Sequence, residues 1–573
     1  MRTWMGDRLH VAAQAIGAFV FLFALLSPAI AGVSREEALR LGERIYREGI
    51  LPSGEPLQAV VKGDIPVAGT AFSCVSCHQR SGLGSYEGGV LTPPTNGRSL
   101  FQPLKRLYKG IEVASMPVLR PAYTDASLAE VLRSGTDPSG RVLDAIMPRY
   151  MLEDQDMALL ISYLKSLSSE FSPGVSDTSL SFATVITDDV SPEDRETMLG
   201  VLEDYVKRKN GMARSYGMNA RQARMAEAML PSGEVAHKRL SLAQWLVKGP
   251  PETWRSQLQE YYRKEPVFAL LGGITKGEWG PIHKFSEDNR IPCILPITDF
   301  PVISETDWYT LYFSKGLYQE GERAARYLQT VGGPRKGGSI VQFVRESREG
   351  RALWRGFQET WRELGNRAPV TVKLKAGEKL TAKILAQALE RERPVALIIW
   401  DGPDALPAIE GLPAAGVKPE MVIVSSGYLG KAMWKLKEEA RDLTYITYPF
   451  RLPQDEARFG RYDDLSKKSR ELGDDVQTVL KQSYTITLVL TQLLVNMKGQ
   501  YFRDNLLDVI GMGRSGAGMG MGTGTVEQDE TYPLYERVSF GPGQRYASKG
   551  CYIVQLARGS RHELIKKSDW AAH

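Results

Sequence analysis

The segment from Cys74 to His78 constrains this chain more than any other, because its letters C-V-S-C-H follow the pattern C-x-x-C-H. Two thiols three positions apart can each form a thioether to a haem vinyl group, and the adjacent imidazole can then bind the iron. The alternatives are a thioredoxin-like redox pair and half of a zinc site. The chain has only four cysteines and offers no second ligand pair for zinc. The pattern therefore predicts one covalently bound haem c, attached at Cys74 and Cys77, with His78 as an axial iron ligand.

The N-terminus has the features of a secretory signal. Arg2 and Arg8 precede an apolar stretch over residues 11–26, and Ala29-Ile30-Ala31 follows as an A-x-A cleavage site. The stretch is shorter than the roughly 20 residues that span a bilayer. We therefore expect residues 1–31 to be a cleaved signal peptide and the mature protein to be periplasmic. The formal net charge of +5 is spread along the chain, which argues against nucleic-acid binding.

The length of 573 residues predicts several compact units. The first is expected over residues 34–170. Ser34 and Glu37 form a capping-box pattern that predicts a helix ending at Gly49. Residues 50–73 are rich in glycine and proline and predict a long loop. A second helix, with its apolar residues on one face, is predicted from Glu153 to Leu167.

This first region resembles a class I cytochrome c. The resemblance rests on Gly42 and Tyr46 in the first helix, the C-x-x-C-H segment, a Met-Pro turn at Met147, and Tyr163-Leu164 in the last helix. It implies an all-α domain with Met147 as the sixth iron ligand. Met116 begins a second Met-Pro dipeptide, but it lies well before the last helix, so Met147 is favoured. The region contains no histidine besides the one in the motif, and a filled sixth position favours electron transfer over oxygen chemistry.

Residues 171–178 form a short linker by composition, and residues 179–573 alternate apolar runs with amphipathic helical patterns. That alternation is typical of a parallel α/β sheet. The predicted strands are 180–186, 240–247, 267–272, 291–297, 339–344, 370–374, 395–400 and 421–425. Among the predicted helices are 192–209, 254–264, 316–330 and 352–364.

The second region resembles a type 1 periplasmic solute-binding protein of the leucine/isoleucine/valine-binding kind. The resemblance rests on the order of the strings L-L-G-G-I-T at 270–275, I-P-C-I-L-P at 291–296, E-G-E-R-A-A-R-Y-L at 320–328 and K-G-C-Y-I-V at 549–554. It implies two α/β lobes that close on a small ligand at the carboxyl ends of the strands. The ligand-binding candidates that it implies are Thr275, Thr298, Asp299, Glu346 and Asp401.

A helix cap or a turn accounts equally well for each of these candidates. The first strand also departs from the family, because it ends in Thr187-Asp188-Asp189 where relatives usually carry a small hydroxyl-and-glycine loop. A conventional amino-acid ligand is therefore in doubt. Cys293 and Cys551 remain after haem attachment, and the sequence leaves open whether they form a disulfide. The glycine- and methionine-rich segment 511–524 is expected to be a low-complexity loop.

The leading hypothesis is an exported monohaem cytochrome that transfers single electrons, with a solute-binding-like domain for a small ligand or a redox partner protein. The alternative is a periplasmic solute receptor for transport or sensing, in which the haem is a redox modulator. A membrane transporter or a dehydrogenase is the expected partner protein. We find no G-x-S-x-G motif, Walker loop or paired-carboxylate pattern, so an electron carrier or binding protein is favoured over an enzyme.

Overall fold

The computed structural model describes residues 33–62, 64–87, 90–103, 119–218, 238–332, 339–415, 419–456, 474–511, 532–559 and 563–572. The predicted signal peptide, Met116 and nearly all of the loop at 511–524 lie outside these ranges. Among the described helices none is long and apolar enough to cross a membrane. The chain divides into two compact units, Met1–Glu170 and Phe171–His573. We call them the N-terminal unit and the C-terminal unit.

The N-terminal unit consists of short helices with small antiparallel sheets between them. Its helices are α1 (Arg35–Glu48), α2 (Cys74–His78), α3 (Gly97–Leu100), α4 (Asp125–Ser134) and α5 (Asp154–Ser166). Its strands are β1 (Gln58–Val61), β2 (Ile65–Ala68), β3 (Ser85–Glu87), β4 (Val90–Thr92) and β5 (Arg149–Met151).

Helix α1 begins and ends as predicted. The Ser34 hydroxyl accepts from the backbone N–H of Glu37 at 3.2 Å, and Gly49 ends the helix in the left-handed conformation at φ 65°. The capping box is only half formed, because the Glu37 carboxylate binds Arg40 instead. Helices α1 and α5 cross closely at Gly42, where a Cβ atom would lie 2.3 Å from the carbonyl oxygen of Leu159. Only glycine allows this approach.

The prediction of a long loop over residues 50–73 is wrong for two segments within it. Strands β1 and β2 pair in an antiparallel hairpin, and β1 also pairs with β5. The second pairing joins Gln58 to Met151, two residues that lie far apart in the sequence. The strands are short and largely accessible to solvent, so the apolar alternation that reveals a strand from sequence is weak here. The pairing of β1 with β5 thereby joins a segment that precedes the C-x-x-C-H helix to one that follows it.

The C-terminal unit contains two α/β lobes. The first lobe has a parallel sheet in the order β10-β9-β8-β6-β7. Its strands are β6 (Ser179–Thr187), β7 (Arg239–Val247), β8 (Ala269–Leu271), β9 (Cys293–Ile294) and β10 (Thr310–Leu311). The helices that alternate with them are α6 (Pro192–Met218), α7 (Trp254–Lys264) and α8 (Gly280–Asp288).

The second lobe has a larger mixed sheet in the order β12-β11-β13-β14-β15-β16-β17, with β18 paired to β16. Its strands are β11 (Ile340–Arg345), β12 (Val370–Leu374), β13 (Ala396–Trp400), β14 (Met421–Ser425), β15 (Thr444–Tyr448), β16 (Gly550–Leu556), β17 (Leu564–Lys566) and β18 (Ala571–Ala572). The principal helices on it are α9 (Leu317–Thr330), α10 (Arg348–Glu363), α11 (Ala382–Glu392), α12 (Leu406–Glu410), α13 (Ser426–Leu429) and α14 (Glu438–Arg441). After β15 the chain forms α15 (Pro453–Glu456) and then returns to the first lobe as α16 (Asp474–Asn496) and α17 (Arg503–Gly511).

The predicted strands and helices of this unit are confirmed, most of them with small shifts at their ends, but α6 continues nine residues beyond the predicted 192–209 and β9 is only Cys293–Ile294 of the predicted 291–297. Strands β12 and β14 and helix α7 have the predicted limits, whereas α10 begins at Arg348 rather than at residue 352. The chain connects the lobes between β10 and α9, after β15, and again before β16. The first and last of these segments lie side by side, because the N–H of Ala547 donates to the carbonyl of Tyr312 at 3.0 Å and that of Ser548 donates to Phe313 at 2.6 Å.

Candidate functional site

The C-x-x-C-H segment forms the short helix α2, with Ser73 before it in an extended conformation. His78 is buried at 5% exposure, Cys74 is buried, and Cys77 faces solvent. The Nδ1 atom of His78 donates to the carbonyl of Pro93 at 2.8 Å, because that oxygen can only accept. Nε2 therefore carries the lone pair and is available to bind a metal.

Burial lowers the pKa of His78, and the hydrogen bond to Pro93 opposes this shift. The imidazole is therefore neutral at pH 7, the form in which histidine binds iron. Burial also raises the pKa of the Cys74 thiol to about 11. A thioredoxin-like pair requires a thiol whose pKa is lowered, so this environment disfavours that alternative. The residues present thus fit a covalently bound haem.

Two tyrosines hold the chain around α2. The Tyr46 hydroxyl, from α1, donates to the carbonyl of Gln79 at 2.8 Å, directly after the motif. The Tyr150 hydroxyl, from β5, donates to the carbonyl of Phe72 at 3.0 Å, two residues before the motif. Both side chains are buried in the core of the N-terminal unit. The motif is therefore held at each end by a side chain from a different element.

Met147 lies in a turn between α4 and β5 and packs against the core of this unit. Its backbone N–H donates to the carbonyl of Asp144 at 3.1 Å. Arg149 holds the turn from the other side, since Nη1 donates to the carbonyl of Met147 at 2.7 Å and Nη2 donates to that of Leu143 at 2.8 Å. The turn is thus fixed by its own hydrogen bonds. The sixth-ligand role of Met147 stays a prediction.

In the C-terminal unit, three of the predicted residues follow strands of the first lobe. The buried Thr275 hydroxyl accepts from the N–H of Gly277 at 3.0 Å. The Thr298 hydroxyl donates to the carbonyl of Gly277 at 3.3 Å and accepts from the N–H of Phe300 at 3.1 Å. Thr298 therefore joins two loops of the same lobe and has no hydroxyl hydrogen left for a ligand.

Asp299 and Glu346 are exposed. Protein atoms around the Asp299 carboxyl nevertheless desolvate it and raise its pKa; Lys276 opposes this shift and Glu349 adds to it. Because Lys276 belongs to the first lobe and Glu349 to α10 of the second, Asp299 lies near both lobes. Arg348, on α10 of the second lobe, extends toward the first lobe, where its guanidinium lies 5.4 Å from the ring centre of Phe300.

Asp401, at the end of β13, is engaged in a buried ion pair with Arg345, at the end of the neighbouring strand β11. Its two oxygens accept from Nε at 2.8 Å and Nη2 at 2.6 Å of the guanidinium, and one of them also accepts from the N–H of Gly402 at 2.9 Å. The side chains of Arg345 and Asp401 are 13% and 4% exposed. Both partners are therefore occupied with each other.

The sequence-based prediction missed three side chains of the second lobe that face the region between the two lobes. Arg348 is one, and the hydrogen-bonded pair of Ser347 and Tyr428, whose oxygens lie 2.8 Å apart, supplies the others. Ser347 caps α10, immediately after β11. The position after a parallel strand was a usable signal for Ser347 and Arg348, whereas nothing in the sequence places Tyr428 beside them.

A buried carboxylate supports the loop that carries Tyr428. Glu320 on α9 is 2% exposed; it accepts from the Thr447 hydroxyl at 2.6 Å, the N–H of Gly427 at 3.0 Å and the Ser426 hydroxyl at 3.4 Å. Burial raises the pKa of Glu320 to about 7, although the hydrogen bonds from the Thr447 hydroxyl and the Gly427 N–H lower it. Glu320 therefore joins α9, β15 and α13 through a group that titrates near neutral pH.

Cys293 and Cys551 are buried free thiols in this structure. Within the described ranges, no group of three or more His, Cys, Asp or Glu side chains is arranged to hold a metal ion.

Comparison with known proteins assigns both units. A family described as cytochrome c matches residues 68–168, and a family described as periplasmic binding protein matches residues 232–508. No curated protein matches the sequence.

Several solved structures are similar to a large part of the chain. A putative branched-chain amino acid ABC transporter from Rhodospirillum rubrum is 12% identical, covers 68% of this chain and 99% of its own, and has a TM-score of 0.47. A branched-chain amino acid ABC transporter from Thermus thermophilus with bound valine is 12% identical, with coverages of 69% and 97% and a TM-score of 0.45.

A solute-binding protein from Rhodopseudomonas palustris BisB5, in complex with 3,4-dihydroxy benzoic acid, is 15% identical, with coverages of 69% and 98% and a TM-score of 0.44. The two family matches agree with the elements described above. The chain therefore carries a cytochrome c domain followed by a periplasmic-binding-protein domain.

Proposed function

We propose that this protein is an exported monohaem c-type cytochrome that transfers single electrons, and that its second domain binds a small ligand or docks a redox partner. The observation that carries the proposal is the buried His78, whose Nδ1 is held by the Pro93 carbonyl so that Nε2 is available to iron. The adjacent thiols of Cys74 and Cys77 lie on the same helical turn.

Each residue of the haem site has a separate role in this proposal. Cys74 and Cys77 would hold the haem through thioethers, and His78 and Met147 would be the axial ligands. A haem held there supplies one-electron Fe(II)/Fe(III) chemistry. Tyr46 and Tyr150 hold the segments on either side of α2, and Arg149 holds the turn of Met147. A thioether ligand raises the reduction potential relative to a second imidazole, so these residues favour an electron carrier.

The test is haem stoichiometry combined with a redox titration of the exported full chain. We expect one haem per chain, a one-electron titration curve, and loss of covalent haem in the double variant Cys74→Ala/Cys77→Ala, since either cysteine alone can still form one thioether. Cys293→Ala is the matched control, because this thiol is buried in the other unit, and it should retain the haem. N-terminal sequencing should begin at Gly32. A haem-free exported protein, or covalent haem that persists when both Cys74 and Cys77 are replaced by alanine, would contradict the proposal.

The second candidate is a periplasmic solute receptor whose haem reports or modulates binding. It is supported by the side chains of two lobes that face one region, in particular Arg348, Tyr428 and Asp299. A thermal-shift screen of amino acids, short amides and small alcohols tests it, since a ligand at 100 times its Kd stabilises the protein by about 2.7 kcal/mol.

A ligand that shifts the haem reduction potential would support the receptor function, because such coupling is reciprocal and redox state must then change ligand affinity. Binding without a change in potential would leave the two domains functionally independent. No binding would favour docking of a redox partner, for which a dehydrogenase is the candidate class.

A further inference from the structure

The C-terminal unit contains a cavity that is distinct from the region between the two lobes, which Tyr428 and Arg348 face. Its volume is about 270 Å³, slightly below the roughly 300–1,000 Å³ of pockets that hold drug-sized ligands. We call it the hinge cavity. Its walls come from the segment between β9 and β10, the segment between β10 and α9, the first turns of α9, and the segment before β16.

Two of these wall segments connect the two lobes, namely the one between β10 and α9 and the one before β16. Lys315 lies on the first of them, and Lys549 on the second. Gln319 on α9 also lines the cavity, and its side-chain amide donates to the carbonyl of Gly550 at 2.7 Å, where β16 begins. A molecule in the hinge cavity would therefore contact both of these adjacent connections.

The charged groups on the wall differ in how they are compensated. The ammonium of Lys315 pairs with the buried carboxylate of Glu322 at 2.8 Å. Arg545 packs its guanidinium 4.3 Å from the ring centre of Trp308 and donates to the carbonyl of Asp307 at 2.9 Å. The remaining carboxylate, of Glu305, is exposed.

Lys549 is the exception. It is half-buried, and its ammonium donates to the carbonyl of Ser539 at 2.7 Å. No carboxylate of the described residues lies within ion-pair distance of it. An ammonium has three donors and burial of an uncompensated charge is costly, so this position favours an added anion. Burial lowers the pKa of Lys549 accordingly.

We propose that the hinge cavity is a second binding site, for a small organic carboxylate whose anionic group binds Lys549. The carboxylate would accept a charge-assisted hydrogen bond from Lys549, whose ammonium makes one hydrogen bond within the described part of the chain. The rest of the ligand would lie along the ring of Tyr546, which lines the same cavity. The cavity is larger than a bare inorganic ion needs, which favours an organic anion.

The test is calorimetric titration of the full haem-loaded chain with sodium lactate, against sodium phosphate and sodium chloride at equal ionic strength. We expect saturable binding of lactate alone. Lys549→Met should weaken it tenfold to a hundredfold, the effect of losing one hydrogen bond to a charged group. Lys264→Met is the matched control, since it removes the same charge from an exposed surface pair and should bind lactate normally.

Two further variants distinguish binding at Lys549 from binding elsewhere on the protein. Lys549→Arg keeps the charge and should retain binding within a few fold, whereas Tyr428→Phe alters the region between the lobes and should have no effect. Far-UV circular dichroism establishes that each variant is folded. Binding that survives Lys549→Met, binding that is lost in Tyr428→Phe, or equal binding of chloride or phosphate would each overturn the proposal.

Discussion

Replacing Glu320 with glutamine should change the pH dependence of stability of the C-terminal unit. The folded-state pKa of Glu320 is raised to about 7 from an ordinary 4.5, so the folded protein holds this proton more tightly than the unfolded chain does. The stability that the protonated Glu320 contributes is fully present below pH 4.5 and is lost as the pH rises through 7. The complete shift corresponds to about 3 kcal/mol of free energy of unfolding.

Glutamine cannot ionise, and it can still accept from the N–H of Gly427. Wild type should therefore lose stability between pH 5 and pH 8, whereas Glu320→Gln should not. We expect the free energy of unfolding of Glu320→Gln minus that of wild type to be about 2 to 3 kcal/mol larger at pH 8 than at pH 5. Urea unfolding followed by tryptophan fluorescence measures this effect, since nine of the ten tryptophans lie in the C-terminal unit.

Glu363→Gln is the matched control, because Glu363 is an exposed carboxylate on the neighbouring helix α10. Its effect on unfolding should be the same at pH 5 and pH 8. A difference between wild type and Glu320→Gln that does not change with pH would refute the argument, because it would mean that Glu320 is ionised with an ordinary pKa in the folded state.

Three other substitutions test the packing and the two sites. Gly42→Ala should destabilise the N-terminal unit by about 1 to 3 kcal/mol in thermal unfolding followed by haem absorbance, because helices α1 and α5 must separate. Arg149→Met should loosen the turn of Met147, so the ferric haem should bind imidazole faster in stopped-flow absorbance than wild type does. Asp401→Asn leaves the guanidinium of Arg345 buried without its counter-ion and should cost about 3 to 5 kcal/mol in urea unfolding, whereas a loss of under about 1 kcal/mol would contradict the pairing described here.

Local patterns predicted the elements whose formation depends on neighbouring residues. Helix α1 was predictable because Ser34 caps it and Gly49 ends it within one continuous segment. Strands β11, β13 and β14 were predictable because buried parallel strands are nearly continuous apolar runs, which in β11 are interrupted by Gln342.

Features that depend on distant pairing were not predictable from the sequence. Strand β1 forms because it pairs with β5, and residues 58–61 have too few alternating positions to indicate this alone. Asp401 was correctly placed at a strand end, but its role depends on the register of β11 and β13, which sets Arg345 beside it. Tyr428 reaches Ser347 from a separate loop, a contact that no spacing in the sequence reveals.

The most direct test of the central claim is the near-infrared absorption of the ferric protein, where coordination of a methionine sulfur to haem iron gives a weak band. We predict that wild type shows this band, that Met147→Ala abolishes it, and that Met151→Ala, which alters an exposed methionine of the neighbouring strand β5, retains it. Loss of the sulfur ligand should also lower the reduction potential. A wild-type protein without the band, or a band that persists in Met147→Ala and disappears in Met116→Ala, would contradict the assignment of His78 and Met147 as the iron ligands of an electron carrier.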